Sequence, residues 1–258
     1  MTASISPIDW QARVANAFSR TASRYEGRAR AQRAIGELLW PSLPAQARCV
    51  LDVGCGTGVW TRRLAERYPH AALHGLDIAP GMLAEARKHQ RVDVDWHLGD
   101  AAALPFQAGG IDLVFSNLAL QWCLDLEGVM HELYRTLTLG GQAHITTLLP
   151  GTLDEIASAW QRPEALLSLA PLDDIRQAVD ASGLRLVSQT QRTLRFFYTD
   201  LSAVQASIKG IGAQVGRGQA RVTREDIAVA AARFERLREP QGLPVSYRCL
   251  ILCLEKTP

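Results

Sequence analysis

Three glycines at alternate positions give the strongest chemical signal in this chain. They are Gly54, Gly56 and Gly58 in the sequence VLDVGCGTG at residues 50–58, where an apolar run leads directly into a predicted helix. Glycine lets the backbone turn tightly and lets a ligand lie where a side chain would collide. The first turn of the helix offers free N–H groups to a carboxylate or a phosphate. The motif therefore predicts a ligand-binding site between a strand and a helix.

Three acidic residues accompany these glycines. Asp52 lies inside the motif, and Asp77 and Asp100 follow the next two apolar runs. A carboxylate in the position of Asp77 can accept hydrogen bonds from both hydroxyls of a ribose, and Asp100 is placed to reach an adenine amino group. A nicotinamide or flavin dinucleotide also contains a ribose and an adenine, but Asp52 would repel the pyrophosphate of such a ligand. A tight turn without a ligand is a further alternative, which the two later acids disfavour.

The pattern of apolar runs predicts the elements that must position these residues. Between residues 48 and 149, short apolar runs alternate with helical spacing, which is typical of βαβ units around a parallel sheet. We expect an α/β fold with a seven-stranded, mostly parallel sheet, one antiparallel strand and helices on both faces. The predicted strands are 48–53, 71–77, 92–98, 111–116, 142–149, 184–198 and 245–254, and the predicted helices are 59–68, 81–90, 126–137, 152–161 and 172–181. Gly140 and Gly141 are expected to end the helix at 126–137, as glycines after a helix often do.

Two segments lie outside this alternating pattern. Residues 1–47 predict one or two amphipathic helices, and we expect them to cap a main domain of residues 48–258. Residues 199–243 are a polar insertion with two helical patterns between the last two strands. Because long insertions of this kind are usually functional, we expect a helical lid there.

The basic residues are unevenly distributed, although the net charge is only +2. Residues 1–48 carry seven arginines against three acidic residues, and residues 217–238 carry six arginines against three. Solvated helix faces are one explanation, and an acidic partner is the other. We expect no nucleic acid as a partner, because basic and aromatic residues are not interleaved and no recognition motif is present.

Composition and cysteine content limit the remaining classes of protein. The 258 residues are 47% hydrophobic and 21% charged, which excludes disordered, collagen-like and coiled-coil chains. No apolar run approaches the roughly 18–20 residues of a membrane span, and the first ten residues show no secretory signal pattern. The five cysteines include no C-x-x-C pair. We expect a cytoplasmic protein without a membrane partner, a disulfide or a metal site.

The G-x-G-x-G spacing, with one acid inside the motif and two after it, resembles the Rossmann-like class I S-adenosylmethionine-dependent methyltransferases. The resemblance implies S-adenosylmethionine as methyl donor, with Asp52 helping to hold its methionine ammonium. Ile78 and Met82 would then enclose the adenine, and Asn117 would face the reacting methyl. Taken alone, Met82 also fits helix packing and Asn117 a loop cap. The implied cofactor-binding residues are Asp52, Gly54, Gly56, Gly58, Asp77, Ile78, Met82, Asp100, Ala101 and Asn117.

Four further stretches resemble the malonyl-[acyl-carrier protein] O-methyltransferases of biotin synthesis. The resemblance covers nearly the whole chain, including the N-terminal helices and the insertion, where class I methyltransferases usually diverge. One departure is LTLGG at residues 137–141, where a proline usually precedes the glycines. This departure concerns only the conformation of the loop at residues 137–141. The four stretches are VANAFSRTASRY at 14–25 with Gln32, SNLALQWC at 116–123, TTLLPGTLDE at 146–155 with Trp160, and SIKGIGA at 207–213.

The resemblance implies methylation of the free carboxylate of a malonyl thioester on acyl carrier protein, an early step of biotin synthesis. A malonyl carboxylate is ionised at neutral pH and needs no general base. Its oxygen must lie in line with the methyl, about 3–3.5 Å away, and lose part of its water. Alternatives are a methyltransferase for a small carboxylic acid or a quinone precursor, and a cofactor-binding regulatory protein without turnover.

An acceptor of this kind also implies residues around its carboxylate. Lys209, or a neighbouring arginine, is expected to grip one carboxylate oxygen, although Lys209 also fits a solvated helix end. Tyr25 is expected to close over the cofactor or the substrate, unless it only anchors its helix. Together with Asn117 these residues would position the reactants. Gln121 and Trp122 are placed to wall the acceptor pocket, although Trp122 also fits the core.

A carrier protein would also give the uneven charge a role. Acyl carrier protein is strongly acidic, so arginine-rich faces on the N-terminal helices and the insertion would steer it toward the pocket that they enclose. We therefore expect malonyl-acyl carrier protein as the partner.

Overall fold

A single seven-stranded sheet forms the centre of the protein. The computed structural model describes residues 6–89, 93–161, 166–209 and 223–258. The strands are β1 (Cys49–Val53), β2 (Ala72–Asp77), β3 (Asp95–Leu98), β4 (Ile111–Asn117), β5 (Leu137–Leu148), β6 (Arg185–Tyr198) and β7 (Leu243–Glu255). Their order is β3-β2-β1-β4-β5-β7-β6, and β7 runs antiparallel to both of its neighbours while β1 to β5 pair in parallel. The expected sheet, mostly parallel with one antiparallel strand, is confirmed.

Helices precede and connect these strands. They are α1 (Pro7–Arg28), α2 (Arg30–Gly36), α3 (Val59–Arg67), α4 (Pro80–Lys88), α5 (Leu126–Thr136), α6 (Asp154–Trp160), α7 (Leu172–Ser182), α8 (Leu201–Lys209) and α9 (Arg224–Glu235). Within the described residues, none of these helices has the length and apolar character that crossing a membrane requires.

Successive residues of β1 point to opposite faces of the sheet and enter different cores. Val50 belongs to the cluster that contains Trp60 of α3, whereas Leu51 belongs to the cluster that contains Leu133 of α5 and Val179 of α7. Side chains alternate along a strand, so both faces of this central strand are covered by helices. Burial on both faces explains why β1, with the sequence CVLDV, is almost continuously apolar.

The first helix is anchored at its start and along one apolar stripe. The side chain of Ser6 accepts a hydrogen bond from the backbone N–H of Asp9 at 3.2 Å, which satisfies one of the free donors of the first turn. Trp10, Val14 and Ala22 are buried along the helix. This stripe fixes which face of α1 turns toward the sheet.

Both helices of the predicted insertion pack near the N-terminal helices. Val204 of α8 and Phe234 of α9 share a hydrophobic cluster with Ile35 of α2, and with Phe196 of β6 and Tyr247 of β7. Segments at opposite ends of the sequence therefore meet at one end of the sheet. Residues 210–222 of the predicted lid lie outside the described residues.

The connection from α5 to β5 differs from the expectation. A helix to residue 137 and a strand from residue 142 were predicted, whereas α5 ends at Thr136 and β5 begins at Leu137. The register with β4 shifts between the Ile111 and Leu113 pairs, so this stretch is an irregular strand. Gly140 has φ 77°, and its N–H donates to the carbonyl of Lys256. Glycine tolerates this conformation inside a bulged strand, and so the two glycines do not end the helix.

Two other strand boundaries also move. β3 begins at Asp95, three residues later than predicted, and residues 90–92 lie outside the described residues. β7 extends from Leu243 to Glu255 because it pairs along its length with β6 on one side and with β5 on the other. The ends of these strands are set by pairing with strands that are distant in sequence, and the local sequence pattern carries no information about such partners.

Candidate active site

A cavity of about 450 Å³ lies at the carboxyl ends of β1, β2 and β4. This edge is where open α/β sheets bind ligands, and the volume lies in the range of small-molecule sites. Its wall contains many of the residues predicted for the site: Tyr25, Gly54, Gly56, Asp77, Ile78, Met82, Asp100, Ala101, Asn117 and Trp122. Asp52, Gly58 and Gln121 are not part of this wall.

Two glycines of the loop pack against neighbouring side chains, and the third, Gly56, leaves space for a ligand. Gly54, Gly56 and Gly58 have φ values of 73°, 56° and 77°, a region that other residues rarely adopt. A Cβ atom on Gly54 would collide with Ala119, and one on Gly58 would lie 2.6 Å from the Trp96 ring. A Cβ atom on Gly56 would meet no atom within 4 Å. The loop therefore leaves open space beside Gly56.

Asp77 lies at the end of β2 with both carboxylate oxygens engaged by the backbone. The N–H of Gly56 donates to Oδ2 and the N–H of Ala79 donates to Oδ1, each at 2.8 Å. A carboxylate has about four lone-pair positions, so each oxygen can accept another hydrogen bond from the cavity side. Burial raises the pKa of Asp77 to about 6. The group is mostly ionised at neutral pH and can accept two hydroxyls.

Asp52 lies below the loop and not in the cavity wall. Its Oδ2 accepts a hydrogen bond of 2.6 Å from the hydroxyl of Thr61 on α3, and the residue is only 2% exposed. Burial, assisted by the nearby charge of Asp77, raises the pKa of Asp52 to about 7. Because Asp52 does not line the cavity, it could stabilise a bound cation only through the electrostatic field of its charge and not by direct contact.

Asp100 has a partner that the sequence pattern did not reveal. Nε2 of Gln11, on α1, donates to Oδ2 of Asp100 at 2.6 Å, and Gln11 is itself part of the cavity wall. The other oxygen, Oδ1, accepts from the N–H of Ala102 at 3.1 Å. The first helix thus reaches the end of the cavity where an adenine amino group was expected. These residues lie 89 positions apart, so no local spacing could have paired them.

Helix α1 is tied to the glycine loop through Glu26. Oε1 of Glu26 accepts hydrogen bonds from the hydroxyl of Thr57 at 3.0 Å and from Arg62 of α3 at 2.9 Å. Nearer the middle of α1, the hydroxyl of Ser19 accepts from the N–H of Gly81 at 3.0 Å. A Cβ atom on Gly81 would lie 2.7 Å from Cα of Ser19, so α1 and α4 approach with almost no space between them. These contacts hold α1 across the cavity.

The turn after β4 holds Asn117 by both ends of its amide. Its Nδ2 donates to the carbonyl of Gln32 at 3.0 Å, and its Oδ1 accepts from the hydroxyl of Thr146 at 2.8 Å. The next residue, Leu118, has φ 56°, a conformation that is uncommon outside glycine. Asn117 borders the cavity while also bracing this turn, so both expected roles are compatible with its position.

A second, smaller cavity of about 90 Å³ adjoins the first. The two share Phe18, Tyr25, Leu118 and Trp122 as wall residues. Further wall residues of the smaller cavity are Gln32, Gln121, Leu148, Ile208 and Tyr247. The predicted pocket residues Gln121 and Trp122 therefore meet here. Gln32 and Tyr247 were not predicted as site residues, because a glutamine in a helix and a tyrosine in an apolar strand are indistinguishable from packing residues.

Lys209 ends α8, directly after Ile208 of this smaller cavity, and its side chain lies outside the described residues. The rest of its motif, residues 210–213, is also outside them. In the described part of the chain, no group of three or more histidine, cysteine or acidic side chains could hold a metal ion.

Comparison with known proteins gives several similarities over long stretches. A family described as a methyltransferase domain matches residues 50–141. Malonyl-[acyl-carrier protein] O-methyltransferase of Serratia marcescens is 37% identical over 254 residues, which cover 96% of each chain. The biotin biosynthesis bifunctional protein BioHC of Cellvibrio japonicus (strain Ueda107) is 38% identical over 93% of this chain and 50% of that relative. This chain thus spans about half the length of the bifunctional relative.

A solved structure gives the same fold at much lower sequence identity. Phosphoethanolamine N-methyltransferase 2 of Haemonchus contortus, in complex with S-adenosylhomocysteine, superposes with a TM-score of 0.61 at 20% identity. The match covers 99% of this chain and 61% of that one. At this identity the likeness shows the fold alone.

Proposed function

The chain belongs to the family of malonyl-[acyl-carrier protein] O-methyltransferases, and on this premise we propose that it methylates the free carboxylate of malonyl-acyl carrier protein. The product is the methyl ester of the malonyl thioester, formed in an early step of biotin synthesis. The chain is thus an S-adenosylmethionine-dependent carboxyl O-methyltransferase.

The observation that carries this proposal is the pair of adjoining cavities. The larger contains the glycine loop, Asp77 and Asp100, and the smaller shares Tyr25 and Leu118 with it. Methyl transfer requires a donor and an acceptor held side by side with their reacting atoms about 3–3.5 Å apart. Two cavities with common walls at the ligand-binding edge of the sheet suit that requirement.

When bound, S-adenosylmethionine would supply the methyl group, which is bonded to its positively charged sulfonium sulfur. The residues of the larger cavity fit this cofactor. The open side of Gly56 leaves room for a ligand against the backbone, and Asp77 retains acceptor capacity for two ribose hydroxyls. We assign the apolar surface of Ile78 and Met82 to the adenine and the charge of Asp52 to the methionine ammonium.

Transfer forms a bond between a carboxylate oxygen and the methyl carbon and breaks the bond between that carbon and sulfur. The sulfur keeps the electron pair, so a positive and a negative charge both disappear. No proton moves, and no general base is required. The chain must therefore bind, orient and partly dehydrate two reactants, and the walls of the two cavities can do so.

Tyr25 and Asn117 keep the positioning roles expected from the sequence, whereas Lys209, expected there to grip a carboxylate oxygen, is given a role in attracting the acceptor. We propose that the Lys209 ammonium attracts the acceptor carboxylate to the smaller cavity, since its helix contributes Ile208 to that wall. Tyr25 borders both cavities, which supports a position between donor and acceptor. Asn117 would hold the turn that faces the methyl group, and Gln121 and Trp122 would enclose the acceptor.

An arginine stripe on α1 is proposed as a docking face for acidic acyl carrier protein. Arg13, Arg20, Arg24 and Arg28 are exposed, and their spacing of seven, four and four residues places them on one face of the helix. None of the four forms an ion pair with a described acidic residue. We extend the face to Arg221, Arg224 and Arg233 of the insertion, although the first and the side chain of the second lie outside the described residues.

The proposed function is tested by mass spectrometry of malonyl-acyl carrier protein after incubation with S-adenosylmethionine. One added methyl on the malonyl group is the expected result, and no added methyl would contradict the proposal. A parallel incubation with the malonyl thioester of coenzyme A measures how far the carrier protein itself is required. Reversal of the charges at Arg221, Arg224 and Arg233 should weaken carrier-protein turnover far more than cofactor binding.

A further inference from the structure

The smaller cavity has an uncharged wall among the described residues, although its proposed occupant is an anion. Its described wall contains no aspartate, glutamate, lysine, arginine or histidine. Apart from leucine, isoleucine, phenylalanine and tryptophan, it offers Tyr25, Gln32, Gln121, Thr152 and Tyr247. At about 90 Å³ it is far smaller than the 300–1,000 Å³ sites that hold drug-sized ligands. It suits a short polar group rather than an aromatic acceptor.

Two of these polar side chains already have partners within the protein. Nε2 of Gln121 donates to the carbonyl of Leu118 at 2.6 Å, and its Oε1 accepts from Thr147 at 3.3 Å. The hydroxyl of Thr152 accepts from the N–H of Arg248 at 3.0 Å. These side chains shape the wall and have little remaining capacity for a ligand.

The other three polar side chains have unused hydrogen-bonding groups. The hydroxyls of Tyr25 and Tyr247 and the side-chain amide of Gln32 form no hydrogen bond with another described residue. Yet no buried side-chain nitrogen or oxygen among the described residues lacks a partner, so these groups must reach open space. Tyr247 is 3% exposed and Gln32 is 8% exposed, and the open space that both border is this cavity.

Contacts outside the smaller cavity restrict the positions of Tyr247 and Gln32. The Tyr247 ring packs edge-on against Phe196, with centroids 5.6 Å apart and planes at 87°. Gln32 is tied to the larger cavity, because its carbonyl accepts the hydrogen bond from Asn117. Such support restricts the orientation of the groups before a ligand arrives, which is what a binding site requires.

Neutral donors suit this reaction better than a fixed cation would. The reactants are an anion and a sulfonium, and both charges decrease toward the transition state. Surroundings with little water therefore disfavour the reactants more than the transition state. A cation pressed against the carboxylate would stabilise the reactants most, and such binding does not accelerate the chemical step.

We propose that the hydroxyl of Tyr247 and the side-chain amide of Gln32, together with the Tyr25 hydroxyl, hold one oxygen of the acceptor carboxylate in the smaller cavity. The second oxygen is then free to point at the methyl group. This inference rests on the proposed function and names the residues that orient its acceptor. In this proposal Lys209 attracts the acceptor carboxylate but does not orient it.

The protonation state of the phenols agrees with this role. Burial raises the pKa of both Tyr25 and Tyr247 well above the ordinary value, and each is raised further by a neighbouring group, Asp77 for Tyr25 and Tyr198 for Tyr247. Both hydroxyls therefore remain protonated across the physiological range and can donate to an anion.

The test compares Tyr247→Phe and Gln32→Glu with the wild-type protein, using malonyl-acyl carrier protein as substrate. Removal of a hydrogen bond to a charged group should lower kcat/KM about ten- to a hundredfold in Tyr247→Phe. Gln32→Glu keeps the shape of the side chain but places a like charge beside the carboxylate, so a larger loss is expected. Calorimetry should give a cofactor Kd within about twofold of the wild-type value in both variants.

Tyr134→Phe is the matched control, because this tyrosine packs against Lys256 and Gly183 away from both cavities. It should keep the wild-type kcat/KM. Wild-type kcat/KM in Tyr247→Phe and Gln32→Glu would overturn the inference while leaving the proposed function intact. A loss that comes with weaker cofactor binding or a lower Tm would also overturn it, because it would indicate a structural role. If the wild-type protein methylates no malonyl thioester, the proposed function fails and the inference fails with it.

Discussion

At the level of single residues, we propose that cofactor recognition depends chiefly on one carboxylate, that of Asp77. Asp77 accepts two backbone N–H groups from the glycine loop and the start of α4, and its remaining lone pairs face the cavity. The same carboxylate thus organises the loop and, in the proposed function, would also accept the ribose hydroxyls.

The substitution Asp77→Asn should weaken cofactor binding about ten- to a hundredfold, because an amide accepts at only one atom and the loss involves hydrogen bonds to a charged group. Isothermal titration calorimetry with S-adenosylhomocysteine measures the effect. Asp173→Asn is the control, since that side chain is exposed at the start of α7. An unchanged Kd in Asp77→Asn would remove Asp77 from the site.

The raised pKa of Asp77 predicts a pH dependence of stability. Its ordinary value is 3.8, and burial raises it to about 6 in the folded protein. Between about pH 4 and 6 the folded protein holds a proton that the unfolded chain has released, so this group's contribution to stability is lost as the pH rises. Relative to wild type, the cofactor-free Asp77→Asn variant should gain up to about 3 kcal/mol of unfolding free energy between pH 4 and pH 7.5. Urea unfolding at a series of pH values measures this difference, and a constant difference would contradict the assignment.

At the level of elements, α1 acts as a cover that is fastened to the glycine loop. Glu26 bonds to Thr57 and Arg62, and Gln11 bonds to Asp100, so the two ends of the helix contact two ends of the cavity. Four residues of α1 line the cavity, so the helix covers part of the proposed cofactor site: Gln11, Val14, Phe18 and Tyr25. Opening of α1 is therefore expected to accompany binding and release.

The substitution Glu26→Gln tests this fastening. The ion pair with Arg62 is partly exposed, so its loss should weaken S-adenosylhomocysteine binding only about two- to fivefold. Hydrogen exchange in residues 7–28 should become faster in the variant. Glu37→Gln is the matched control, because Glu37 pairs with Arg63 of the same helix α3 but does not contact the loop. Equal effects of both substitutions would contradict a specific role for Glu26.

The local pattern was sufficient to predict the central sheet and the glycine loop. Strand, turn and helix at residues 49–67 are contiguous in sequence, and their apolar spacing and glycines are sufficient to predict them. The pattern failed at Gly140, because a glycine that ends a helix and one that bulges a strand look alike. Only the hydrogen bond to Lys256 distinguishes them.

The contacts between distant segments could not be predicted in the same way. Gln11 reaches Asp100, and Tyr247 comes to the wall beside Gln32, only because the chain ends converge on one edge of the sheet. Glutamine and tyrosine have no spacing rule that marks them as site residues. The acids and glycines could be predicted because they form a motif of fixed spacing after a buried strand, whereas these neutral donors resemble ordinary packing.

At the level of the whole molecule, we propose that the charge distribution separates recognition of the carrier protein from the chemical step. The described wall of the smaller cavity carries no charged side chain, whereas the exposed face of α1 carries four arginines that have no described acidic partner. Long-range attraction raises the rate of encounter, and it acts without contact with the reacting atoms. Substitutions on this face should therefore change the dependence on carrier protein and on salt, and leave the cofactor site unchanged.

The double variant Arg20→Glu and Arg24→Glu should lower kcat/KM for malonyl-acyl carrier protein about tenfold or more at low ionic strength. The difference from wild type should shrink toward 1 M salt, where the screening length falls to about 3 Å. Turnover of malonyl-coenzyme A and the cofactor Kd should change little, because neither depends on the carrier surface. The double variant Arg48→Glu and Arg192→Glu carries the same charge change on exposed residues elsewhere and should keep wild-type kinetics. If both double variants lose carrier-protein turnover equally, net charge rather than the α1 face governs docking, and the proposed interface is wrong.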